Sequence, residues 1–120
     1  MALSNPCPVA FTTRIIGGKW KARIAWALIR NNNLRFSELR RACPPISDRI
    51  LSKELKELED WGLVSRKAYA VVPPKTEYTL TEMGWTLEPV MAAMAAWGGK
   101  HRENIVEPVG AAARDERRNP

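Results

Sequence analysis

Residues Arg35 to Arg66 read RFSELRRACPPISDRILSKELKELEDWGLVSR, and this stretch decides the fold. It divides into a short helix, a turn carrying Pro44-Pro45, and a second amphipathic helix ended by Trp61-Gly62. In the second helix Leu51, Leu55 and Leu58 recur at spacings of four and three, the period of a helix with one face turned inward. Arg49, Ser52, Lys53 and Lys56 follow the same period on the opposite face, while Glu54, Glu57, Glu59 and Asp60 lie later or to the side. Ser47 has the chemistry of an N-cap, its hydroxyl accepting from a first-turn amide. A helix held by one face to a core, with cations on the other, is how a chain presents a helix to the DNA major groove. Taken alone, the stripe also suits an ordinary solvated helix of mixed charge.

Working outward, Leu63 to Tyr69 alternates apolar and polar residues as a half-buried strand does. Val71-Val72-Pro73-Pro74-Lys75 is a proline-stiffened turn, and Thr76 to Leu80 returns as the partner strand. This hairpin carries Arg66, Lys67 and Lys75 directly after the candidate recognition helix, the position of a wing. Upstream, Pro8 opens a first helix through Ile16 that stops at Gly17-Gly18. A second helix runs from about Lys19 to Arg30, with Trp20, Ile24 and Leu28 inward and Trp26 on a second apolar edge; Asn31-Asn32-Asn33 breaks it. Phe36 to Ala42 forms the third, with Ser37 as its expected cap and Leu39 inward. Downstream, Thr81 caps a last long helix with an apolar stripe of Met83, Leu87, Val90, Met91, Met94 and Trp97, which Pro89 is expected to kink. The reading makes 1–6 a flexible lead, 7–100 the domain, closed by Gly98-Gly99, and 101–120 a disordered tail. The fold class is mainly α with a small β-hairpin wing, a winged helix-turn-helix.

A chain of 120 residues makes one domain. Its formal net charge of +6 favours an anionic partner. From Arg14 to Lys75 there are 14 Lys/Arg against 6 Asp/Glu, a local excess of +8, so the charge belongs to the folded part. No stretch approaches the length of a membrane span, and no signal peptide is visible, which places the protein in the cytoplasm with two reduced cysteines. Cys7, Cys43 and His101 stand apart from one another without metal-ligand spacing, and no phosphate loop, nucleophile elbow or carboxylate pair stands out. The expectation is therefore no metal, no cofactor and no enzyme.

Cys7–Val9 (CPV), Ile16–Trp20 (IGGKW), Arg35–Arg41 (RFSELRR), Ile46–Arg66 (ISDRILSKELKELEDWGLVSR), Val72–Gly84 (VPPKTEYTLTEMG) and Ala95–Gly98 (AAWG) occur in this order. Together they resemble the HxlR-type winged helix-turn-helix regulators of bacteria, over roughly Cys7 to Gly98. The resemblance implies a homodimer packed through the first and last helices, and a palindromic double-stranded DNA operator. The helix after Ser47 would enter the major groove and the wing would lie on the backbone. The interface would draw on Val9, Ile16, Leu87, Val90, Met91, Met94 and Trp97; the last helix carries more apolar surface than so small a fold can cover. Some similar regulators sense oxidants through the thiol of the same Cys-Pro-Val, which makes Cys7 a candidate sensor; a helix N-terminus stabilises a thiolate. Cys43 reads as structural or incidental.

Arg49 is the first candidate for base reading, because its fork can pair with guanine O6 and N7. Ser47, Asp48, Ser52 and Lys53 are next, with a helix-dipole role for Asp48 as the alternative. Lys56, Arg40, Arg41 and Ser37 suit phosphate contacts, and Lys67, Tyr69 and Lys75 suit wing contacts. Trp20, Trp26, Phe36, Trp61 and Tyr78 read as packing residues. The effector is unknown from sequence; a small ligand would lodge at the seam near Trp20, Met91 and Trp97. The competing function is a winged-helix module for protein contacts with no preference among DNA sequences.

Overall fold

The computed structural model describes residues 7–106; the lead 1–6 and most of the expected tail, 107–120, lie outside the described residues. The elements in chain order are α1 (Pro8–Ile16), α2 (Lys21–Asn31), β1 (Asn33–Arg35), α3 (Phe36–Ala42), α4 (Asp48–Asp60), β2 (Val64–Tyr69), β3 (Lys75–Leu80), α5 (Glu82–Trp85) and α6 (Glu88–His101).

Local chemistry accounts for most boundaries. Pro8 opens α1, where its missing N–H is no loss, and Gly17 closes it by donating to Thr13 O at 2.7 Å. The Ser47 hydroxyl accepts from Ile50 N–H at 3.1 Å and starts α4. Its end is a Schellman turn: Gly62 adopts φ 76°, its N–H donates to Glu59 O, and Leu63 N–H donates to Leu58 O. Leu58 and Leu63, which this turn brings together, are both buried.

Three expectations need correction. Ser37 is not the cap of α3. Arg35 holds that position, and Glu38 closes the turn by accepting from Arg35 N–H at 2.7 Å. The last helix is two helices: Thr81 caps α5, accepting from Gly84 N–H at 3.0 Å, and the chain restarts at Glu88 with Pro89 in the first turn of α6. Proline offers no N–H to the carbonyl of Trp85 and its ring would collide with it, so the break falls just ahead. Gly98-Gly99 does not end the domain, since α6 continues through both to His101, where the imidazole lies 5.1 Å from the Trp97 ring. Helix glycines weaken a helix by about 1 kcal/mol each without stopping it.

The sheet has the order β1-β3-β2, all antiparallel. The asparagine run that reads as a breaker also leads into β1: Asn32 turns at φ 68°, then Leu34 pairs with Tyr78 and Arg35 with Glu77. β3 is thus the central strand, and the wing is joined to the segment that enters α3. One cluster fills the core: Ile24 and Leu28 of α2, Leu39 of α3, Leu51, Leu55 and Leu58 of α4, and Tyr78 and Leu80 of β3. Cys43 is completely buried within it, and that burial pushes its thiol pKa up. A second cluster, Ile16, Ala25 and Met91, joins α1, α2 and α6. Gly84 marks a close approach, because a Cβ there would lie 2.0 Å from Leu63 O.

Candidate nucleic-acid interface

α4 is fastened by its leucines and turns its cationic face outward. Leu51, Leu55 and Leu58 are no more than 1% exposed, whereas Ser47, Asp48, Arg49, Ser52, Lys53 and Lys56 are all exposed. A lateral fastening adds to the leucines. Lys21, at the start of α2, places its ammonium 2.6 Å from Glu54 and 2.5 Å from Glu57, with its side chain only 11% exposed. Burial by itself lowers the Lys21 pKa, but hydrogen bonds to Glu54 and Glu57 and their charges outweigh it and leave the ammonium above its ordinary value. The hydrogen bond from Lys21, reinforced by Lys53, holds the Glu57 carboxyl below its ordinary value. Lys21 Nζ also lies 5.2 Å from the ring of Trp61, which is partly exposed rather than a core residue. Sequence reading missed this fastening, because nothing in the spacing of a lysine 33 residues upstream signals that it meets Glu54.

The cations of the outer face are not equivalent. Lys53 Nζ is 3.2 Å from Glu57 and 3.6 Å from Glu54, Lys56 is 3.0 Å from Asp60, and Arg40 is 2.8 Å from Asp48. The hydrogen bond to Asp60, followed by that carboxylate's charge, raises the Lys56 pKa. Arg41, in the last turn of α3, and Arg49, in the first turn of α4, make no ion pair or hydrogen bond among the described residues. Arg49 therefore projects an uncommitted guanidinium from the N-terminal turn of α4, where base-reading residues of such helices sit. The Asp48 carboxylate lies in that same turn, where the helix dipole favours it. Ser37 is half-buried in the first turn of α3.

On the wing, Lys67 and Lys75 place their ammonium groups 4.9 and 4.5 Å from the Tyr69 ring. The Tyr69 hydroxyl donates to Glu77 at 2.8 Å, and that bond, with further donors from Asn33 and Lys75, holds the Glu77 carboxyl below its ordinary value. Cross-strand pairs Lys67–Glu77 and Tyr69–Lys75 place this cluster near the hairpin's outer end. The tip itself is apolar, with Val72 fully exposed.

The residues expected at a dimer interface divide. Ile16 and Met91 lie inside the protomer, packed on Ala25, and Leu87 is half-buried against both clusters. Val9, Val90, Met94 and Trp97 are exposed, and Phe11 of α1, which the sequence did not single out, joins them at 46% exposure. Cys7 is exposed at the N-cap of α1. No group of His, Cys, Asp and Glu among the described residues could hold a metal ion, and no helix among them is long and apolar enough to cross a membrane.

Comparison with known proteins follows the same lines. The model of HxlR-like helix-turn-helix proteins matches residues 15–106. YybR of Bacillus subtilis (strain 168), an HTH-type transcriptional regulator, is 50% identical over 97 residues, 81% of this chain and 77% of its own. The redox regulator HypR in its reduced form is 49% identical with a TM-score of 0.75, over 80% of this chain and 94% of that one. The reduced transcriptional regulator YodB of Bacillus subtilis is 33% identical with a TM-score of 0.70, over 85% and 100% of the two chains. A fastened helix with a cationic outer face, a hairpin wing and these relatives agree: the chain belongs to the HxlR-like helix-turn-helix family and is a transcriptional regulator, not an enzyme.

Proposed function

We propose that this regulator binds double-stranded DNA sequence-specifically, as a homodimer on a palindromic operator in the cytoplasm. The observation that carries the reading is the division of α4, with its leucines at no more than 1% exposure and Arg49, Ser52, Lys53 and Lys56 on the open side. α4 enters the major groove, with Arg49 reading bases and Ser47, Asp48, Ser52 and Lys53 beside it. Ser37, Arg40, Arg41 and Lys56 contact phosphates, and Lys67, Tyr69 and Lys75 bring the wing to the backbone.

The dimer forms through α1 and α6. In support, α6 buries a single side chain, Met91, in its own protomer, leaving Val90, Met94 and Trp97 uncovered, as Val9 and Phe11 of α1 also are. Apolar side chains gathered on two outer helices mark an interaction surface. Cys7, exposed at the start of α1, is the residue through which a thiol oxidant would reach that surface. Two solved relatives are a redox regulator, HypR, and YodB, whose structure is also known after diamide treatment.

Selection of genomic fragments by the purified protein, in parallel with Arg49→Ala, tests the reading. The expected result is a palindrome with half-sites about one helical turn apart, lost in the variant. Fragments without a common sequence would overturn it in favour of a protein-contact module. Repeating the selection with an oxidant and with Cys7→Ser tests the thiol: loss of binding in the wild type and its retention in the variant support it.

A further inference from the structure

The tip of the hairpin runs Val71-Val72-Pro73-Pro74 between the ends of β2 and β3, and all four residues are exposed. Val72 is 100% exposed. Single apolar side chains at a surface are ordinary, but four in succession at a hairpin tip stand where turns favour Gly, Asn, Asp and Ser. Such a tip costs little to keep ordered, since valine and proline have few rotamers to lose.

The hairpin behind the tip is cationic and braced. From Val64 to Leu80 the chain carries Arg66, Lys67 and Lys75 against one carboxylate, Glu77. That carboxylate is occupied: it accepts from the Tyr69 hydroxyl at 2.8 Å and the Asn33 side-chain amide at 3.3 Å, and Lys75 Nζ lies 3.4 Å away. Asn33 belongs to β1, so the network ties the wing to the rest of the sheet. A groove of about 500 Å³ lies between the tip and the start of α3, lined by Arg35, Ser37 and Lys75 together with Val72 and Pro73. Among the described residues no carboxylate lines it.

We propose that the wing tip is a wedge: a sugar-phosphate strand lies in the groove between α3 and the tip, and Val72 and Pro73 enter the minor groove beyond it, open a base step and bend the duplex. The proposal rests on the DNA-binding reading above and adds a deformation to it. With α3 and α4 on the major-groove side of that strand, a tip on its other side meets the minor groove. Arg35 and Lys75, on a groove without counter-charge, suit the phosphates. Beyond the phosphates the tip offers no side-chain hydrogen bond, but the faces of an opened base step are apolar. Apolar side chains inserted between steps unstack them and bend duplexes by about 20–90°. The cost is lowest at pyrimidine–purine steps, TA and CA/TG. The wing would thus add sequence preference without a base hydrogen bond.

Fragment selection with the full chain and with Val72→Ser gives the first readout. Both should recover the same half-sites, while wild type alone enriches a TA or CA/TG step at a fixed distance from each. 2-Aminopurine placed in turn at positions flanking one half-site of the recovered operator gives the second. With wild type its emission should rise at one step as the base unstacks, and fluorophores on the duplex ends should report a bend of about 20° or more. At saturating protein Val72→Ser should lose most of both signals, and Val72→Phe should keep them. The slope of log affinity against log salt should stay the same in Val72→Ser, because no phosphate contact is removed. Full exposure of Val72 means that neither substitution disturbs the core. Signals equal in wild type and Val72→Ser, or absent from both, overturn the wedge and leave the reading of α4 standing. A change in the DNA-free oligomeric state of Val72→Ser, read by sedimentation, overturns it in favour of a contact between copies. If neither protein recovers a common sequence, the DNA-binding reading itself falls, and the wedge with it.

Discussion

Replacing Lys21 with methionine separates the contribution of the α2–α4 ion pairs from that of the leucines. The substitution keeps the length and apolar character of the stem and removes only the ammonium that meets Glu54 and Glu57 at 2.6 and 2.5 Å. Removing one partner of a fully buried pair costs about 3–5 kcal/mol. The site is not fully buried, since Glu57 is 38% exposed, and Lys53 stays 3.2 Å from it as a substitute cation. Both facts reduce the cost, to about 2 kcal/mol, most of it from Glu54, whose side chain is 13% exposed. A loss of that size lowers Tm by roughly 8–16 °C in a domain of this size. Urea denaturation at fixed protomer concentration measures it, because association through the exposed helices would make the midpoint depend on concentration. The double variant Lys21→Met/Glu54→Gln should lose less than the two single losses added together. The pH dependence supplies a second readout. The Glu57 carboxyl sits below its ordinary value, so its share is fully present above the unfolded carboxylate pKa of about 4.3. That share is lost as pH falls through the folded value. The Lys21 ammonium sits above its ordinary value, so its share is full below about 10.4 and is lost as pH rises through the folded value. Both flanks should flatten in Lys21→Met. A coupling between positions 21 and 54 below about 0.5 kcal/mol, or unchanged flanks, would refute the view that these pairs fasten α4.

Two glycines should respond oppositely in kind to alanine. Gly84→Ala drives a Cβ to 2.0 Å from Leu63 O and forces α5 away from the backbone just ahead of β2, so the loss should reach about 3 kcal/mol. Gly62→Ala meets no atom but must hold φ 76°, and should cost only about 1–2 kcal/mol; denaturant midpoints compare the two. Trp97→Glu places a charge on the exposed face of α6 and should convert dimer to monomer in sedimentation, with operator affinity lost alongside. Lys67→Ala should weaken binding to all sequences alike and reduce the slope of log affinity against log salt by about one. Arg49→Ala should instead relax preference at one position of each half-site.

The stretch from Arg35 to Arg66 was legible because its signals are local: leucines at helical spacing, a serine cap and a Trp-Gly stop. Pro89 likewise announced an interruption, although not that it would divide the element completely. β1 was not legible. Three residues beginning in an asparagine run carry no strand period, and only the distant β3 makes them a strand. Arg35 as cap of α3 was hidden for a similar reason, since the bond that closes the turn comes from Glu38 rather than from a serine. In the site, the outward face of α4 could be read from spacing, but the carboxylate partners of Lys53, Lys56 and Arg40 depend on side-chain reach. The apolar stripe of the last helix was visible, while its division between Met91 inside and Met94 and Trp97 outside needed the position of α2.

The pairing of Lys53 and Lys56 with acids on their own helix bears on how the protein finds its target. Uncommitted ammonium groups adhere to any stretch of duplex, and a chromosome offers vastly more random sites than operators. If α4 enters the groove as proposed, each of these two lysines would exchange a carboxylate for a group on the DNA, so fortuitous encounters would gain little and end quickly. At a matching half-site, base contacts would hold the helix in place long enough for the exchange to complete. Internal acids on the reading helix would thus shorten the time spent on the wrong DNA and speed the genomic search, while the grip on the right sequence tightens only after it has been recognised.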